Sequence, residues 1–356
     1  MLKINGNYGE GGGQILRTSV ALSAVLQKPV KIYNIRSKRS KPGIRPQHFY
    51  VVKTLADIFN AKVENLYVGS ESIVFRPSKK IGEKSYFNDL KINIGSAGSI
   101  PLILQTIIPT ISIAKKYVSI KIIGGTDVPY SPTIDYIRYV VAKIYRIIGI
   151  NSEIKVLRRG YYPIGNGIVH TKIFPCENIG IIDLINKRRK IEPRIIGVAS
   201  NIPKKIIYKQ ILSGLLQLEK NGIQCNNYQV SCERSTSSGF SILVFTQSEC
   251  GPFIGGDAIN DKKNSIMNIG IKATEKFLEN YLSNNVSIDY YLADMLVIPA
   301  SLAKGKSRYC IKKVTQHLIT NLYIASKIVG CKYTIKDKKK YYIVTIEGNS
   351  DQDIKK

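Results

Sequence analysis

The most regular hydrophobic pattern lies near the C-terminal end of the chain. Leu318, Leu322, Ala325 and Val329 recur at intervals of three or four residues, which predicts an amphipathic helix with one buried face. Thr315 comes just before this pattern, where its hydroxyl can cap the first turn. The pattern therefore predicts a helix that begins immediately after Thr315.

His317 lies in the first turn of that predicted helix. Unpaired amide groups and the helix dipole disfavour additional positive charge there, which favours a neutral imidazole. A neutral ring has a nitrogen that can attack an electrophile. A partly buried histidine that hydrogen-bonds at a helix end explains the same pattern, so the helix alone leaves both interpretations open.

The N-terminal part of the chain alternates strand and helix patterns, and this plan is repeated. The first unit is predicted to contain a strand at 2–5, a glycine-rich loop, a helix at 15–24, a strand at 30–35, a helix at 47–60 and two strands that end near Arg76. At a constant offset, Leu16-Arg17-Thr18 matches Leu104-Gln105-Thr106, and the 47–60 helix matches a helix at 135–148. The pattern therefore indicates an internal repeat.

A third copy of the unit comes late in the chain. Ile108-Pro109 is echoed by Ile298-Pro299, and Gln47-His48 and Gln316-His317 occupy equivalent places. The sequence therefore predicts an α+β fold of three repeated units, each with two helices packed on a small four-stranded sheet. The repeats are predicted at about 1–80, 81–180 and 286–356, so that 1–180 and 286–356 form one large domain.

An insertion at 181–285 separates the second and third copies and is predicted to form a small α+β domain of its own. Its predicted elements are a strand at 191–199, a helix at 205–220, strands near Gln229 and Phe240 and a helix at 265–281. Basic turns at 187–190 and 201–205 could contact a nucleic-acid strand, although such runs are more often solvated surface.

The charge balance changes the picture. Lys and Arg number 53 against 25 Asp and Glu, a formal net charge of +28. Such an excess favours a polyanionic partner, a nucleic acid or a nucleotide, because each neutralised phosphate releases counterions. A general bias toward lysine is the alternative explanation, since many of these residues lie in predicted loop tips.

Other features exclude some classes of protein. The chain contains no apolar run of about 18 residues, which argues against a membrane span. The first residues predict a strand rather than a signal peptide, so a cytoplasmic protein is expected. Six cysteines without a C-x-x-C pair and three histidines make a zinc site improbable. Reduced thiols are expected, while disulfides and a homo-oligomeric state both stay open.

Two loops of the first unit have compositions that suit phosphate. The segment 9–14 is rich in glycine and precedes a helix, where the backbone can approach an anion closely. It lacks both the G-x-G-x-x-G spacing and the Walker motif, so a tight structural turn is an equal interpretation. The loop 36–45 is strongly basic, which favours either a phosphate-binding rim or a solvated loop.

Several motifs, in order along the chain, resemble the RNA 3′-terminal phosphate cyclase family. The motifs are Gly9-Glu10-Gly11-Gly12-Gly13-Gln14-Ile15-Leu16-Arg17, Lys41-Pro42-Gly43-Ile44-Arg45-Pro46-Gln47-His48, Ile94-Gly95-Ser96-Ala97-Gly98-Ser99, Gly124-Gly125-Thr126-Asp127, Tyr162-Pro163 with Gly165 and Gly167, Tyr291-Leu292-Ala293-Asp294 and Gln316-His317-Leu318. One glycine loop alone would be weak evidence for a family, but the ordered set of motifs covers nearly the whole chain outside the insertion. The insertion itself matches only loosely.

The resemblance implies an enzyme that uses ATP and a divalent metal, Mg²⁺ or Mn²⁺, to convert an RNA 3′-phosphate end into a 2′,3′-cyclic phosphodiester. It implies a histidyl-AMP and then an RNA-adenylate as intermediates. The family's catalytic histidine falls on His317. The remaining roles that the resemblance implies are metal binding by Glu10, phosphate or RNA binding by Arg17, Arg39, Gln47 and His48, and ATP binding by Gln105, Tyr290, Tyr291, Leu292, Ala293 and Asp294.

Two rival functions share this type of fold. A related branch of the family acts in ribosome assembly and lacks the catalytic histidine, so the chain could be a non-catalytic RNA-binding protein. Enolpyruvyl transferases also use repeated units of two helices on a small sheet, but they need no nucleophilic histidine. The presence of His317 favours the cyclase over both.

Overall fold

The first repeated unit is a four-stranded sheet covered by two helices. A computed structural model describes residues 1–78, 85–185, 191–260 and 268–349. The elements of the first unit are β1 (Leu2–Asn5), α1 (Gly13–Leu26), β2 (Val30–Tyr33), α2 (Pro46–Ile58), β3 (Lys62–Glu64) and β4 (Ile73–Arg76). The strand order is β1-β2-β4-β3, with β1 and β2 parallel and the other pairs antiparallel.

The second unit repeats this topology. Its elements are β5 (Tyr86–Asn93), α3 (Ile100–Ile113), β6 (Tyr117–Gly124), α4 (Ile134–Tyr136), α5 (Ala142–Ile147), β7 (Ser152–Arg158) and β8 (Gly167–Ile173). The order β5-β6-β8-β7 is the order of the first sheet, again with one parallel pair. A π-helical turn at Ile137–Val141 joins α4 to α5, so the predicted helix at 135–148 is present but locally widened.

The third unit differs from the prediction by one strand. Its elements are α8 (Tyr290–Met295), α9 (Val297–Leu302), β13 (Lys306–Ile311), α10 (Gln316–Val329), β14 (Lys332–Asp337) and β15 (Tyr342–Glu347). Within the described ranges its sheet has three strands, in the order β13-β15-β14. In the segment that would add a fourth strand, the amide of Ser287 donates a hydrogen bond to the carbonyl oxygen of Cys310. Ile288 then forms a single isolated β-bridge with Phe253. The segment therefore does not continue as a strand.

The insertion forms a fourth sheet with two helices of its own. Its elements are β9 (Pro193–Ser200), α6 (Lys204–Glu219), β10 (Asn227–Cys232), β11 (Gly239–Thr246), β12 (Gly255–Ile259) and α7 (Ile269–Tyr281). The strand order is β10-β9-β11-β12. Strand β12 was not predicted, and both the predicted helix start at Ser265 and the basic turn at 187–190 lie outside the described residues. The fold class is confirmed, whereas the domain boundaries stay a prediction.

The apolar residues form one large core under the three units and a second core in the insertion. Helix α1 is at the centre of the large core and packs against α2, α3 and α10. Helix α3 is apolar on nearly all of its faces, as expected for a helix surrounded by others. Because α1 and α10 are in direct contact, the loops before these two helices are brought close together.

Among the described residues, no helix is both long and apolar enough to cross a bilayer.

Candidate active site

The site is organised by the N-terminal end of α10. The helix begins at Gln316, and the Thr315 hydroxyl accepts a hydrogen bond from Leu318 N at 2.9 Å, which confirms the predicted cap. The apolar positions of the helix face the core. His317 therefore projects from the first turn, and its side chain is 44 % exposed.

Two charged residues of the first unit meet the imidazole. Nε2 of His317 lies 2.9 Å from Oε2 of Glu10, which belongs to the loop before α1. The same carboxylate oxygen accepts from Nη2 of Arg39 at 3.2 Å. The first and third units thus contribute to one cluster, although Glu10 and His317 are far apart in the sequence.

Asp294 lies on the other side of the ring, at the end of α8. Its Oδ2 is 3.9 Å from Nδ1 of His317, and its Oδ1 accepts from the Thr315 hydroxyl at 2.7 Å. Burial, followed by the nearby charges of Asp289 and Glu10, raises the pKa of Asp294 well above its ordinary value. Nδ1 therefore faces the mostly buried Asp294, and Nε2 faces the more exposed pair of Glu10 and Arg39.

The surroundings keep the imidazole neutral at neutral pH. Partial burial lowers the pKa of His317 below its ordinary 6.5, and the positive charges of Arg17 and Arg39 act in the same direction. Glu10 opposes this effect but does not reverse it. A neutral imidazole next to arginines can act as a nucleophile toward an anionic substrate, as the helix position predicts.

Polar contacts within the core hold the three helices around the site. Asn321 lies one turn after His317, and its Oδ1 accepts from the Thr18 hydroxyl of α1 at 2.9 Å. Its Nδ2 donates to the carbonyl oxygen of Asp294 at 3.2 Å. One amide side chain therefore connects α1, α8 and α10, which positions Glu10, Asp294 and His317 relative to one another.

The glycine loop lies directly against α10. Gly9 has a φ of +57°, and a Cβ at this position would lie 2.6 Å from the Thr320 hydroxyl oxygen. Next to it, the rings of Tyr8 and Tyr323 stack with centroids 3.9 Å apart. Glycine is thus required at this position both by the backbone conformation and by the close approach to the helix.

Arg17 supplies a buried positive charge at the start of α1. Burial, assisted by the charge of Arg36, lowers the pKa of Arg17 to about 10, so the guanidinium stays charged at neutral pH. Its Nε atom is buried without a hydrogen-bond partner among the described residues. A buried donor of this kind fits an anion such as a phosphate group.

Gln47 and His48 lie at the start of α2 but face different surroundings. His48 is buried, accepts from Arg45 N at Nδ1 (3.2 Å), and its Nε2 is so close to Gly13 that a Cβ there would be 2.2 Å away. Burial and three neighbouring arginines lower the pKa of His48 well below its ordinary value. Gln47 Oε1 accepts from Ser99 N at 3.2 Å, which connects it to the loop of the second unit.

The 290–294 segment divides into buried and exposed residues. Leu292 and Ala293 belong to the core, so their side chains are not on the surface of the site. Tyr291 is exposed, and its ring lies 4.5 Å from that of Tyr290. The Tyr290 hydroxyl donates to Glu279 at 2.8 Å, and Nζ of Lys313 lies 4.0 Å over its ring. Asp294 and Tyr291 are thus the members best placed to reach a ligand.

Gln105 is another predicted site residue without a hydrogen bond to this cluster among the described residues. It lies half-buried in the middle of α3. No hydrogen bond among the described residues connects it to His317 or Glu10.

Sequence reasoning missed Asn321 and Thr18. The available signal was a polar residue on the buried face of an amphipathic helix, since a buried amide requires partners. Those partners lie on other helices, which a single sequence does not reveal.

An imidazole placed beside two carboxylates and two arginines offers the positioning and the positive charge that enzymes acting on phosphorylated substrates require. Comparison with known proteins gives the particular family. The sequence pattern of the RNA 3′-terminal phosphate cyclase family matches residues 8–335. The chain is 35 % identical to the RNA 3′-terminal phosphate cyclase of Pyrobaculum aerophilum, with 98 % of each chain covered.

Two other relatives carry the same name. Identity is 37 % with the protein of Pyrococcus furiosus, over 94 % of this chain and 95 % of the relative. It is 38 % with that of Staphylothermus marinus, over 91 % of both chains. The chain belongs to the RNA 3′-terminal phosphate cyclase family, which confirms the resemblance and the predicted class of enzyme.

Proposed function

We propose that the protein uses ATP to convert the 3′-phosphate end of RNA into a 2′,3′-cyclic phosphodiester through a covalent histidyl-AMP. Family membership supports the overall reaction. The observation that carries the covalent step is the half-exposed imidazole of His317, whose lowered pKa leaves it neutral between a carboxylate and arginines. A non-catalytic RNA-binding protein would need no such group.

In the first step, Nε2 of His317 is the attacking atom, because it faces the exposed Glu10 and Arg39 while Nδ1 faces Asp294. The single proton of the neutral ring must then lie on Nδ1, so that Nε2 has the free electron pair. A bond forms from Nε2 to the α-phosphorus of ATP, the bond to the β-phosphate oxygen breaks, and pyrophosphate leaves. Glu10 must turn away from Nε2 for this attack. Arg17, whose buried Nε has no partner among the described residues, provides the positive charge that such a transfer needs.

A divalent cation fits a site formed by Glu10 together with substrate phosphates and water, rather than a site formed by protein side chains alone. The described residues contain no cluster of three or more His, Cys, Asp or Glu side chains suited to a metal. Mg²⁺ is commonly bound by one or two carboxylates together with substrate phosphates and water, which one half-exposed carboxylate can satisfy. The cation would supply charge neutralisation on the triphosphate. The second role of Glu10 is to hold Nε2 while no nucleotide is bound.

Two further transfers complete the reaction. An oxygen of the RNA 3′-phosphate attacks the α-phosphorus, which breaks the bond to Nε2 and gives an RNA-adenylate. The neighbouring 2′-hydroxyl then attacks the 3′-phosphorus and loses its proton, and AMP leaves. Arg39 and Gln47 are assigned to the RNA end, since Arg39 is exposed beside Glu10 and Gln47 holds the loop of the second unit.

The test is covalent labelling with ATP that carries the label on its α-phosphate, in the presence of magnesium. We expect one acid-labile, base-stable adduct that disappears in the His317→Ala variant. The matched control, Ser326→Ala at the other end of α10, should label normally. Label that persists without His317 contradicts the assignment of the nucleophile. A wild-type chain that binds RNA but takes up no label supports the non-catalytic alternative instead.

A further inference from the structure

Basic side chains form a continuous row across the sheet of the second unit. In the register of this sheet, Lys91 is opposite Lys121, Lys121 is opposite His170, and His170 is opposite Lys155. The row thus crosses all four strands, from β5 to β7. Four strands about 4.8 Å apart give it a length of roughly 14 Å.

These side chains point away from the core. The residues that alternate with them, such as Ile92, Ile122 and Val169, are buried beneath the sheet. Lys91 and Lys155 are exposed at the two edges, and Lys121 and His170 are half-buried between them. The row therefore lies on the outer face, where a long ligand can reach it.

Folding does not account for this row. Like charges directly opposite each other on neighbouring strands are destabilising. Among the described residues, none of the three lysines has a carboxylate partner, and His170 Nε2 lies 2.9 Å from the Ser119 hydroxyl oxygen. The neighbouring Lys172 does pair with Glu153, at 3.7 Å. A basic row that remains uncompensated in the protein alone fits a partner that brings negative charge.

The sheet of the first unit provides an internal comparison. Its equivalent row runs from Lys3 to Lys31, then to Val74 and Glu64. It thus contains two lysines, an apolar residue and a carboxylate, and the carboxylate pairs with Arg76 at 2.8 Å. A row of three lysines and a histidine without a carboxylate is a property of the second sheet and not of the repeat.

Contacts connect the row to the site. Two residues further along β5, Asn93 accepts from Gly95 N at 3.0 Å, at the start of the 95–99 loop. Ser99, at the end of that loop, donates to Gln47 at 3.2 Å. On the other edge strand, Arg158 donates to the carbonyl of Asn166 at 2.8 Å, in a loop whose Gly165 packs against the 95–99 loop.

We propose that the outer face of this sheet carries the phosphodiester backbone of the RNA strand on the 5′ side of its reacting end. Lys91, Lys121, His170 and Lys155 contact successive phosphates, and the 95–99 loop connects this face to Gln47. The inference rests on the proposed function for the identity of the polyanion. It assigns to the second unit the binding of the RNA backbone away from the reacting end, a role that none of the site residues fulfils.

The experiment compares two double variants that remove equal charge. Lys121→Gln with Lys155→Gln removes two members of the row, and Lys3→Gln with Lys31→Gln is the control on the first sheet. Each is tested with a 3′-phosphorylated oligoribonucleotide of about ten nucleotides, within the usual site size for single strands, and with a 3′-phosphorylated dinucleotide. Anisotropy gives Kd, and cyclisation gives kcat and KM.

For the first variant we expect Kd and KM of the long RNA to rise about tenfold, with the dinucleotide changed by less than about twofold. The slope of log Kd against the logarithm of the salt concentration should decrease by about 1.4, which is about 0.7 for each lost phosphate contact. Self-labelling with ATP should be unchanged.

Three results would overturn the inference: unchanged affinity for the long RNA, an equal loss in the first-sheet control, or an equal loss with the dinucleotide. An equal loss in the first-sheet control would mean that both sheets contribute equally to RNA binding. An equal loss with the dinucleotide would mean that the lysines act at the reacting end of the RNA. Failure of the proposed function is separate, since it appears as a wild-type chain that binds the long RNA but cyclises neither substrate.

Discussion

Two arginine–carboxylate networks in this protein have the same components and opposite surroundings. At the site, Arg39 pairs with Glu10 at 3.2 Å, and both side chains are more than one-third exposed. In the second unit, Arg159 is 0 % exposed and binds Asp127 at 3.2 Å, Asp135 at 2.8 Å and Glu233 at 2.8 Å. Only the first network contains an imidazole.

The buried network around Arg159 stabilises the fold. Burial alone would lower the pKa of Arg159, but Asp135, Asp127 and Glu233 raise it well above its ordinary value. The network joins the second unit to the insertion, because Arg159 N also donates to Arg234 O at 2.8 Å. Its donors are directed at internal carboxylates, which leaves little for a ligand.

The site network is more exposed and shares one carboxylate between two partners. Glu10 serves both Arg39 and His317, and the Nε of Arg17 has no partner among the described residues. Groups that are incompletely satisfied and partly open to solvent can exchange their partners for a substrate. The difference between the two networks is thus one of burial rather than of residue type, and it separates stability from chemistry.

The largest effect that tests this contrast is on stability. Among the described residues, Arg159→Met leaves two carboxylates without a cation and the third, Asp135, with Arg138 alone, so we expect the free energy of unfolding to fall by about 3–5 kcal/mol. The matched Arg39→Met variant should lose less than about 1 kcal/mol, because exposed pairs contribute little. Urea unfolding followed by circular dichroism measures both. Equal losses would show that burial does not distinguish the networks.

The contrast also shows how far the sequence was informative. The α10 helix and its Thr315 cap were predictable because both depend on neighbouring residues. The hydrogen bond between His317 and Glu10 was not, since it requires the packing of α1 against α10. The missing strand of the third sheet was also not predictable, because it depends on where the chain leaves the insertion near Ser287.

The resemblance placed Glu10, Arg39, Asp294 and His317 in one functional group, and the structure brings these four together. Their roles as metal, RNA, ATP and catalytic residues stay predictions. Burial could not be anticipated for His48, Leu292 and Ala293, because a motif records which residues occur and not how deeply each is packed.

The next effect, smaller than the first, is on turnover. Arg39→Ala should lower RNA cyclisation by roughly 10- to 100-fold, the equivalent of losing one hydrogen bond to a charged group. Self-labelling with ATP should change by less than about threefold. Arg76→Ala is the matched control, since Arg76 is as exposed as Arg39 (43 % and 42 %) and pairs with one glutamate. An equal loss in labelling and cyclisation would place Arg39 at the nucleotide instead.

The smallest effect concerns pH. Because burial and the charges of Arg17 and Arg39 lower the pKa of His317, the rate of self-labelling should be constant around neutrality and fall only in acid, with its midpoint below 6.5. In Arg39→Ala the midpoint should move up toward 6.5, and in Glu10→Gln it should move down, because Glu10 raises the pKa. The free energy of unfolding should also fall in acid. Below pH 6.5 the unfolded chain takes up a proton on His317 before the folded chain does, so the contribution of His317 to stability declines.

Arg159→Met is the control for the activity profile. Measured at a temperature where it stays folded, it should leave the midpoint unchanged, since its network contains no imidazole. A midpoint above 6.5 in the wild-type chain would mean that Glu10 outweighs burial and that the ring is charged in the free enzyme.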